Sequence, residues 1–326
     1  MSTPAAGGAD TVTVRVDAPA KINLFLRVLR RRPDGFHELE TLFQAISLHD
    51  TVEVTVEPAR TGDRVTLDVR GADVGPEEQN LAFRAAHAFQ AETGLAGAVH
   101  IVLEKHIPAG AGLGGGSSDA AAVLLGLAAI GASAGSASGR IVGRPADEET
   151  LHRIGAGLGS DVPFFLGPSP LALGRGRGEL LTPLEPLGEA AIVLALPPVH
   201  VSTAGAYAAL SAARGDGAAG PAGGTVPPGA APEPRAHDWG AVAALAHNDF
   251  ESVVTPAHPE IARSLEGMRA EGARVAMLSG SGAASFGLFA SFDAARAVAS
   301  RLEARMGWPF VAARTLERFP RPALLP

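Results

Sequence analysis

The feature that most constrains this chain is a glycine-rich segment between an apolar strand pattern and a helix pattern of small residues. It covers residues 108–121 and reads Pro-Ala-Gly-Ala-Gly-Leu-Gly-Gly-Gly-Ser-Ser-Asp-Ala-Ala. Glycines let backbone N–H groups approach a ligand without a Cβ in the way, and the following helix presents further free N–H groups and its positive dipole end. Phosphate is the ligand that such a segment favours, whereas a flexible linker would not usually join a strand directly to an apolar helix.

Comparison with known nucleotide-binding motifs shows which classes of nucleotide-binding loop this segment does not match. A Walker A loop needs Gly-Lys-Ser/Thr, but the only lysines, Lys21 and Lys105, follow an alanine and a glutamate. Gly110, Gly112 and Gly115 satisfy the dinucleotide pattern G-x-G-x-x-G, yet no acidic residue or strand follows about 20 positions later. The protein-kinase signatures His-Arg-Asp and Asp-Phe-Gly are absent from the sequence. A dinucleotide-dependent oxidoreductase and a non-catalytic nucleotide-binding protein stay open as alternatives.

Composition limits the class of protein. With 326 residues, 46% of them hydrophobic, the chain can bury a substantial core in roughly two domains. Cysteine is absent, which excludes disulfides, thiolate zinc sites and a cysteine nucleophile. The net charge of -7 argues against a nucleic-acid or anionic-membrane partner. The longest apolar run, 120–130, is shorter than the ~20 residues of a membrane span, and the N-terminus lacks signal-peptide features, so we expect a cytoplasmic protein.

Lysine is rare in this chain, which makes the two lysines conspicuous. Of 27 basic residues, all but Lys21 and Lys105 are arginines. An ammonium group fits a small pocket and can shift its pKa, whereas a guanidinium group is broad and stays charged. A solvent-exposed lysine is the simpler explanation for either one. Lys21, however, lies two residues from Asn23, another rare residue type here, so we consider Lys21 functional.

Hydrophobic periodicity predicts an α+β protein in which a run of strands precedes the helices of each half. The predicted strands are 11–16, 22–29, 39–47, 51–56, 65–70, 99–105, 192–196, 275–278, 285–289 and 310–316. The predicted helices are 80–92, 117–129, 261–269 and 293–306. We expect two domains, 11–172 and 179–320, separated by the Gly/Pro-rich segment 167–178. Two low-complexity segments, 131–139 and 215–234, are predicted to be loops or mobile insertions.

Several segments, in order, resemble the motifs of the GHMP small-molecule kinases. They are 19–26 (Pro-Ala-Lys-Ile-Asn-Leu-Phe-Leu), the glycine-rich segment, 159–165 (Gly-Ser-Asp-Val-Pro-Phe-Phe) and 278–282 (Leu-Ser-Gly-Ser-Gly). Segments 35–39 (Gly-Phe-His-Glu-Leu) and 248–251 (Asn-Asp-Phe-Glu) most resemble the family members that act on CDP-methylerythritol. The resemblance, which runs from about 17 to 290, implies an N-terminal ribosomal-protein-S5-like domain with a left-handed βαβ unit and a C-terminal α+β sandwich. The active site would lie in the cleft between them.

The same resemblance implies an activity. ATP would phosphorylate the 2-hydroxyl of the methylerythritol moiety of 4-diphosphocytidyl-2-C-methyl-D-erythritol, in the non-mevalonate isoprenoid pathway. Mg²⁺ would assist, through ligands that the sequence does not identify, and the oligomeric state is left unassigned. Asp161 would be the catalytic carboxylate and Lys21 its partner. Another GHMP kinase, acting on homoserine or mevalonate, is the nearest alternative.

The remaining site residues are also assigned by resemblance. Asn23 would hold the acceptor sugar, Phe36 and His37 would receive the cytosine, and Thr203 and Tyr207 would complete the substrate site. The family often has Tyr where this chain has Phe36, and a Pro is common after the position of Thr203, which puts the backbone path near Tyr207 in question. The predicted ATP-binding residues are Asn80, Lys105, Pro108, Gly110, Gly112, Leu113, Gly114, Gly115, Gly116, Ser117 and Ser118.

Simpler structural roles compete with four of these assignments. Asn80, Asp161 and the two serines are residue types that cap helix N-termini; Asn80 and the serines stand at the start of predicted helices, and Asp161 is a candidate N-cap in 159–163. Lys105 could equally form an interdomain salt bridge.

Overall fold

The computed structural model describes residues 11–32, 35–58, 64–72, 74–137, 144–215 and 238–326. Its strands, in chain order, are β1 (Val12–Arg31), β2 (His37–Glu57), β3 (Val65–Arg70), β4 (Ala98–Glu104), β5 (Leu171–Arg175), β6 (Leu180–Pro183), β7 (Ala191–Ala195), β8 (His247–Asn248), β9 (Val275–Leu278), β10 (Ser285–Phe289), β11 (Phe310–Arg314) and β12 (Ala323–Leu324). Its α-helices are α1 (Leu81–Thr93), α2 (Gly115–Ala137), α3 (Glu148–Leu158), α4 (Val162–Leu166), α5 (Thr203–Arg214), α6 (Trp239–Leu245), α7 (Glu251–Ala257), α8 (Pro259–Ala270) and α9 (Phe292–Met306). The α+β prediction is confirmed.

Two long antiparallel strands, β1 and β2, form the centre of the larger sheet. In the described residues this sheet runs β12-β1-β2-β4-β3, with β5 and β6 continuing from β2 and β8 pairing with β1. Each long strand replaces two shorter strands that the sequence predicted, because β-bulges at Pro19/Lys21, Asn23/Phe25 and Val28/Arg30 interrupt the period-two pattern without ending the strand.

The alternation of side chains along β1 decides where its polar residues lie. Ala20 and Ile22 belong to a buried cluster that also contains Leu194 and Phe286 of the second sheet. Lys21 and Asn23, which alternate with them, therefore face the other side of the strand.

The helices α1 to α4 cover the larger sheet. Asn80 accepts a hydrogen bond from Ala82 N and caps α1, as its residue type predicted, and Gly94 ends the helix in a left-handed conformation. The predicted helix 117–129 is longer in the structure, and the loop expected at 131–139 is wrong for the residues up to Ala137, because alanine and serine let α2 continue. Residues 138 and 139 lie outside the described ones.

One stretch of α2 has membrane-like composition. Residues Gly115–Ser133 are long and apolar enough to cross a bilayer by length and composition alone. Most of this stretch is buried within the protein. Its apolar side chains, including Val123, Leu124 and Leu127, belong to the core cluster formed with β1, β2 and β4, which accounts for the composition without a membrane.

The smaller sheet has the order β11-β7-β10-β9, and all its neighbours are antiparallel. The helices α8 and α9 cover one face, where Leu265 and Leu302 pack with Val193. The opposite face packs on β1 and β2 of the larger sheet. The strands predicted in this half of the chain are confirmed, as are both helices.

The segment 167–178, expected to separate two domains, instead lies within the larger sheet. The strand β5 pairs with β2, with Leu173 opposite Leu42, and turns into β6. Gly176 and Gly178 have positive φ and form the hairpin turn between β5 and β6. The Gly/Pro content of this segment predicted a domain boundary and did not indicate a hairpin. The smaller sheet begins later, at Ala191. Of the low-complexity segment 215–234, Gly215 caps α5 and residues 216–234 lie outside the described ones.

Candidate active site

The glycine-rich segment forms a tight loop between β4 and α2. Gly110, Gly112 and Gly114 have φ of 69°, 78° and 72°, a region that residues with a side chain rarely adopt. The segment 279–284 of the smaller sheet packs against this loop: Ser279 Oγ donates to Gly112 O at 3.1 Å, and Ala284 N donates to Ala111 O at 3.1 Å. The loop conformation is therefore fixed by contacts with both sheets.

A cavity of about 360 Å³ opens at this loop. It is lined by all but one of the residues predicted to bind ATP: Asn80, Lys105, Pro108, Gly110, Gly112, Leu113, Gly114, Gly115, Gly116 and Ser117. Ser118 is the exception, because its side chain is buried away from the cavity and its Oγ has no hydrogen-bond partner. The N-terminus of α2 opens on the same cavity, which suits an anion.

Lys21 and Asp161, which are far apart in sequence, come together beside the loop. Lys21 Nζ lies 3.6 Å from Asp161 Oδ2 and donates to Asn23 Oδ1 at 2.8 Å. The backbone N of Lys21 donates to Leu113 O at 2.9 Å, so the strand and the loop are directly joined. Burial lowers the pKa of Lys21, and the nearby Asp161 carboxylate opposes that shift. The predicted convergence of amine and acid is present.

Asp161 occupies the N-cap position of α4 but does not use its side chain as a cap. No capping hydrogen bond forms from this carboxylate, in contrast to Asp147, which accepts from Thr150 N at the start of α3. The Asp161 side chain is 27% exposed, while that of Lys21 is 6% exposed. The carboxylate is therefore partly open to a ligand and supported from behind by a buried cation.

A second and larger cavity, of about 910 Å³, lies at the start of α4. It is lined by Gly159 and Ser160, which precede Asp161, and by four predicted substrate residues, Phe36, His37, Thr203 and Tyr207. Asn23 is not among its lining residues; instead its Nδ2 donates to Thr41 Oγ1 at 2.7 Å while Oδ1 accepts from Lys21.

We expected the ring of Tyr207 on the opposite face of the cytosine from Phe36 and His37. The aromatic side chains of this cavity are arranged differently. Tyr207 stacks on His37, with ring centroids 4.6 Å apart and an interplanar angle of 16°. Phe36 is 54% exposed and lies under the guanidinium of Arg177, 4.8 Å from the ring centroid. The Nε2 atom of His37 is 3.2 Å from Ser211 Oγ. Burial, with a smaller contribution from Asp161, raises the pKa of Tyr207 to about 12, so its hydroxyl is neutral near pH 7.

Comparison with known proteins gives the family. The models of the GHMP kinase N-terminal and C-terminal domains match residues 80–167 and 230–307. A curated relative from Geobacter sp. (strain M21), named 4-diphosphocytidyl-2-C-methyl-D-erythritol kinase, is 39% identical over 92% of this chain and 98% of the relative. The chain belongs to the GHMP kinase family. A relative of the same name from Moorella thermoacetica is 42% identical over 88% of this chain and 93% of its own length.

Solved structures agree with this membership. The crystal structure of a 4-(cytidine 5'-diphospho)-2C-methyl-D-erythritol kinase is 37% identical, has a TM-score of 0.70, and covers 92% of this GHMP kinase and 98% of that chain. A homoserine kinase from Cytophaga hutchinsonii has a TM-score of 0.66 at 18% identity, over 96% of this chain and 97% of that one, which is a likeness of fold alone. The two-domain GHMP kinase fold is thus the fold of this chain.

Lys105 forms a buried cluster with two aspartates behind the glycine-rich loop of this GHMP kinase. Its Nζ donates to Asp119 Oδ2 at 2.7 Å and to Asp50 Oδ2. Asp50 Oδ1 also accepts from His106 N at 2.5 Å and Ile107 N at 2.8 Å, where the chain leaves β4. The interdomain salt bridge that was the alternative for Lys105 is not formed among the described residues, because its partners Asp50 and Asp119 both belong to the layer of the larger sheet.

The two aspartates of this cluster are site residues that the sequence analysis missed. Asp119 lines the loop cavity directly after the two serines, and its position within the glycine-rich segment was a signal for it. Asp50 is fully buried within β2, where a charged residue needs partners. Neither position alone indicated Lys105 as the partner, because β2, β4 and α2 meet only in the folded chain.

The cluster predicts a pH-dependent stability. Burial raises the pKa of Asp119 from 3.8 to about 8, although Lys105 lowers it. Between these two values the folded state holds one more proton than the unfolded state, so this group makes stability fall as the pH rises, and the loss is complete above about pH 8. Asp119→Asn removes the titration. In urea unfolding between about pH 5.5 and 9, its stability relative to wild type is therefore expected to increase with pH and then level off. A difference that does not change with pH would contradict the shifted titration.

A second prediction concerns Gly112. An alanine there would be strained at a φ of 78°, and its Cβ would collide with the carbonyl oxygen of Ser279. Because the loop must shift to relieve this contact, Gly112→Ala is expected to weaken ATP binding by about tenfold or more, since left-handed strain alone costs roughly 1–2 kcal/mol. Gly131→Ala is the matched control, because that glycine lies in α2 with no atom within 4 Å of an added Cβ. Calorimetric titration with ATP measures both variants, and equal affinity in the two would disprove the close-approach argument.

Proposed function

We propose that this GHMP kinase transfers the γ-phosphoryl group of ATP to the 2-hydroxyl of 4-diphosphocytidyl-2-C-methyl-D-erythritol, a step of the non-mevalonate isoprenoid pathway. The observation that carries the proposal is the Lys21–Asp161 pair. Lys21 lies against Gly114 of the glycine-lined cavity, and Asp161 follows Ser160 of the larger cavity with aromatic walls. The relatives of that name, 39% and 42% identical over most of the chain, support the acceptor.

Phosphoryl transfer needs alignment and charge stabilisation more than covalent chemistry. The backbone N–H groups of the glycine-rich loop and of the first turn of α2 bind the phosphates, which places the γ-phosphoryl group near Lys21. Asp161 accepts the proton of the acceptor hydroxyl, so the oxygen attacks as its negative charge develops. The ammonium of Lys21 stabilises both the carboxylate and that developing charge.

The arrangement around Lys21 keeps its amine in place for this role. Asn23 accepts a hydrogen bond from Nζ and is itself held by Thr41, whose hydroxyl donates to Phe25 O at 2.8 Å. A Cβ on Gly114 would lie 3.0 Å from Lys21 Cγ, so the aliphatic part of the side chain lies against the loop. We propose that Asn23, whose Nδ2 carries one hydrogen besides the one donated to Thr41, holds the acceptor sugar.

The larger cavity receives the cytidine end of the acceptor in this proposal. The exposed ring of Phe36 offers a face for the base, and base–aromatic stacking contributes about 1–3 kcal/mol. The stacked rings of His37 and Tyr207 form a second wall, and Thr203 lies at the start of the same helix as Tyr207. His37, held by Ser211, can hydrogen-bond to the polar edge of the base.

Magnesium accompanies ATP in this proposal. The described residues contain no group of three or more side chains suited to a metal ion. That fits Mg²⁺ bound with a nucleotide, which retains several waters and takes most of its other ligands from phosphate oxygens. The hydroxyl of Ser117, at the wall of the loop cavity, is an oxygen that could join them. When bound, the ion neutralises charge on the phosphates.

The proposed function is tested by measuring ADP release with three acceptors: CDP-methylerythritol, mevalonate and homoserine. We expect turnover with the first alone, inhibited by free CDP, because only that acceptor uses the larger cavity. Turnover with mevalonate or homoserine, without inhibition by CDP, would instead assign another GHMP kinase activity. ATP binding without turnover of any acceptor would favour the non-catalytic alternative. A cytoplasmic location stays a prediction to be tested separately.

A further inference from the structure

The segment Asn248–Glu251 (Asn-Asp-Phe-Glu) has no role in the mechanism above, yet all four of its side chains contact elements of the site. It begins in β8, which pairs with β1 near Lys21 and Asn23, and ends in the first residue of α7. Asn248 and Phe250 are 5% and 1% exposed. Two of its side chains reach toward the glycine-rich loop and the other two reach toward α5.

Asn248 holds the segment that supports the glycine-rich loop. Its Nδ2 donates to Leu278 O at 2.9 Å and to Gly280 O at 2.8 Å, and its Oδ1 accepts from Phe250 N at 3.0 Å. Gly280 itself lies against the loop, because a Cβ there would be 3.3 Å from Gly112 O. Both contacts of Nδ2 thus keep 278–280 beneath Gly112, while Oδ1 holds the amide in place through Phe250 N.

Glu251 adds to the same support. Its carboxylate accepts from Leu278 N at 2.7 Å. Leu278 is therefore held through its N–H by Glu251 and through its carbonyl by Asn248. Both contacts are on the side of β9 opposite its only neighbour among the described strands, β10, so no strand can replace them.

Asp249 points the other way and joins β1 to the end of α5. Its Oδ2 accepts from Val28 N at 2.7 Å and lies 2.7 Å from the guanidinium of Arg214, and Arg214 also donates to Val28 O at 2.6 Å. Its Oδ1 is 2.7 Å from His247 Nε2. The last residue of α5 is thereby fixed to the strand that carries Lys21.

Phe250 supports the same helix from below. Its ring meets Tyr207 edge to face, with centroids 4.9 Å apart, and Tyr207 in turn stacks on His37. A buried ring in this position determines how far the Tyr207 side chain stands out into the larger cavity.

We propose that Asn248–Glu251 is a positioning segment with two separable arms. Asn248 and Glu251 position 278–280 and, through it, the glycine-rich loop that binds the nucleotide. Asp249 and Phe250 position α5 and, through it, the Tyr207 wall of the acceptor cavity. The identity of the two ligands, ATP and CDP-methylerythritol, rests on the proposed function. The two sets of contacts are independent of it.

The test measures two variants, one for each arm. Asn248→Asp replaces the amide donor with a carboxylate that repels the carbonyls of Leu278 and Gly280, and is expected to raise the Kd for a fluorescent ATP analogue about tenfold and to lower kcat. Phe250→Leu removes the ring beneath Tyr207, and is expected to raise the KM for CDP-methylerythritol about fivefold while the Kd for the ATP analogue changes less than twofold. Ser252→Ala is the control, since Ser252 Oγ bonds only to Asp249 O at 2.8 Å on the exposed side of the segment.

The outcomes separate the inference from the proposed function. If wild-type enzyme fails to phosphorylate CDP-methylerythritol, the proposed function is lost, but the ATP-analogue titration still tests the nucleotide arm. A folded Asn248→Asp protein that binds the analogue as tightly as wild type overturns the proposal, as does a Phe250→Leu protein in which both ligands weaken equally. If Asn248→Asp does not fold, Glu251→Leu, which removes the acceptor of Leu278 N–H, is measured beside Glu251→Gln, which retains it and is expected to bind normally.

Discussion

Asp161→Asn is expected to lower kcat by at least about 10²-fold while leaving the affinities for ATP and the acceptor nearly unchanged. An amide has almost the shape of the carboxylate but cannot accept the proton of the acceptor hydroxyl. Asp161 makes no capping hydrogen bond to α4 that the amide would disturb. The loss should therefore fall on the chemical step, where a general base typically contributes 10²–10⁴-fold.

Steady-state kinetics with both substrates, together with equilibrium ATP binding, measure this effect. Asp147→Asn is the matched control, because Asp147 also precedes a helix but caps it through Thr150 N, a bond that asparagine retains. Turnover close to wild type in Asp161→Asn would remove this residue from the base role and leave Lys21 without its proposed partner.

Lys21→Arg is expected to be comparably damaging, about 10²-fold or more in kcat, although the positive charge is kept. The Lys21 side chain is 6% exposed, its stem passes within close contact of Gly114, and its amine lies between Asn23 and Asp161. A guanidinium is wider than an ammonium and stays ionised, so it would displace the loop or Asp161. The lysine, whose pKa is lowered by burial, fits without doing so.

The control for this substitution is the reverse exchange on the same strand. Arg15 is 49% exposed and pairs with Asp17 at 3.6 Å, so Arg15→Lys should leave kcat unchanged. The midpoint of thermal unfolding, measured for both variants, shows whether a loss of kcat comes from a misplaced charge in a folded protein or from a loss of folding. An active Lys21→Arg enzyme would show that the site needs only a cation, which would weaken the argument from the rarity of lysine.

The parts of this molecule that were predictable from sequence are those set by local chemistry. The helix α1 has a capping asparagine before it and a glycine after it, and both act as their residue types suggest. The glycine-rich loop is likewise a local property, since its positive φ angles require glycines in any context.

What the sequence could not supply depends on pairing between distant segments. Nothing near Pro19 distinguishes a bulge from the end of a strand until β2 is seen alongside it. The segment 167–178 was assigned to a domain boundary because its glycines and prolines mark a break, but whether such a break joins two domains or two paired strands depends on the partner strand, β2. The partners of Lys105 and the stacking of Tyr207 on His37 are unpredictable for the same reason.

The buried layer between the two sheets also bears on how the enzyme can move. Ile22 and Leu24 of β1 share one apolar interior with Leu194 and Phe286 of β7 and β10, and the glycine-rich loop is hydrogen-bonded to the segment that follows β9. Swinging the halves apart as rigid bodies would expose that interior to water and pull the phosphate cradle open. Rigid-body opening is therefore costly, whereas small local changes at the cavity mouths would leave this interior intact.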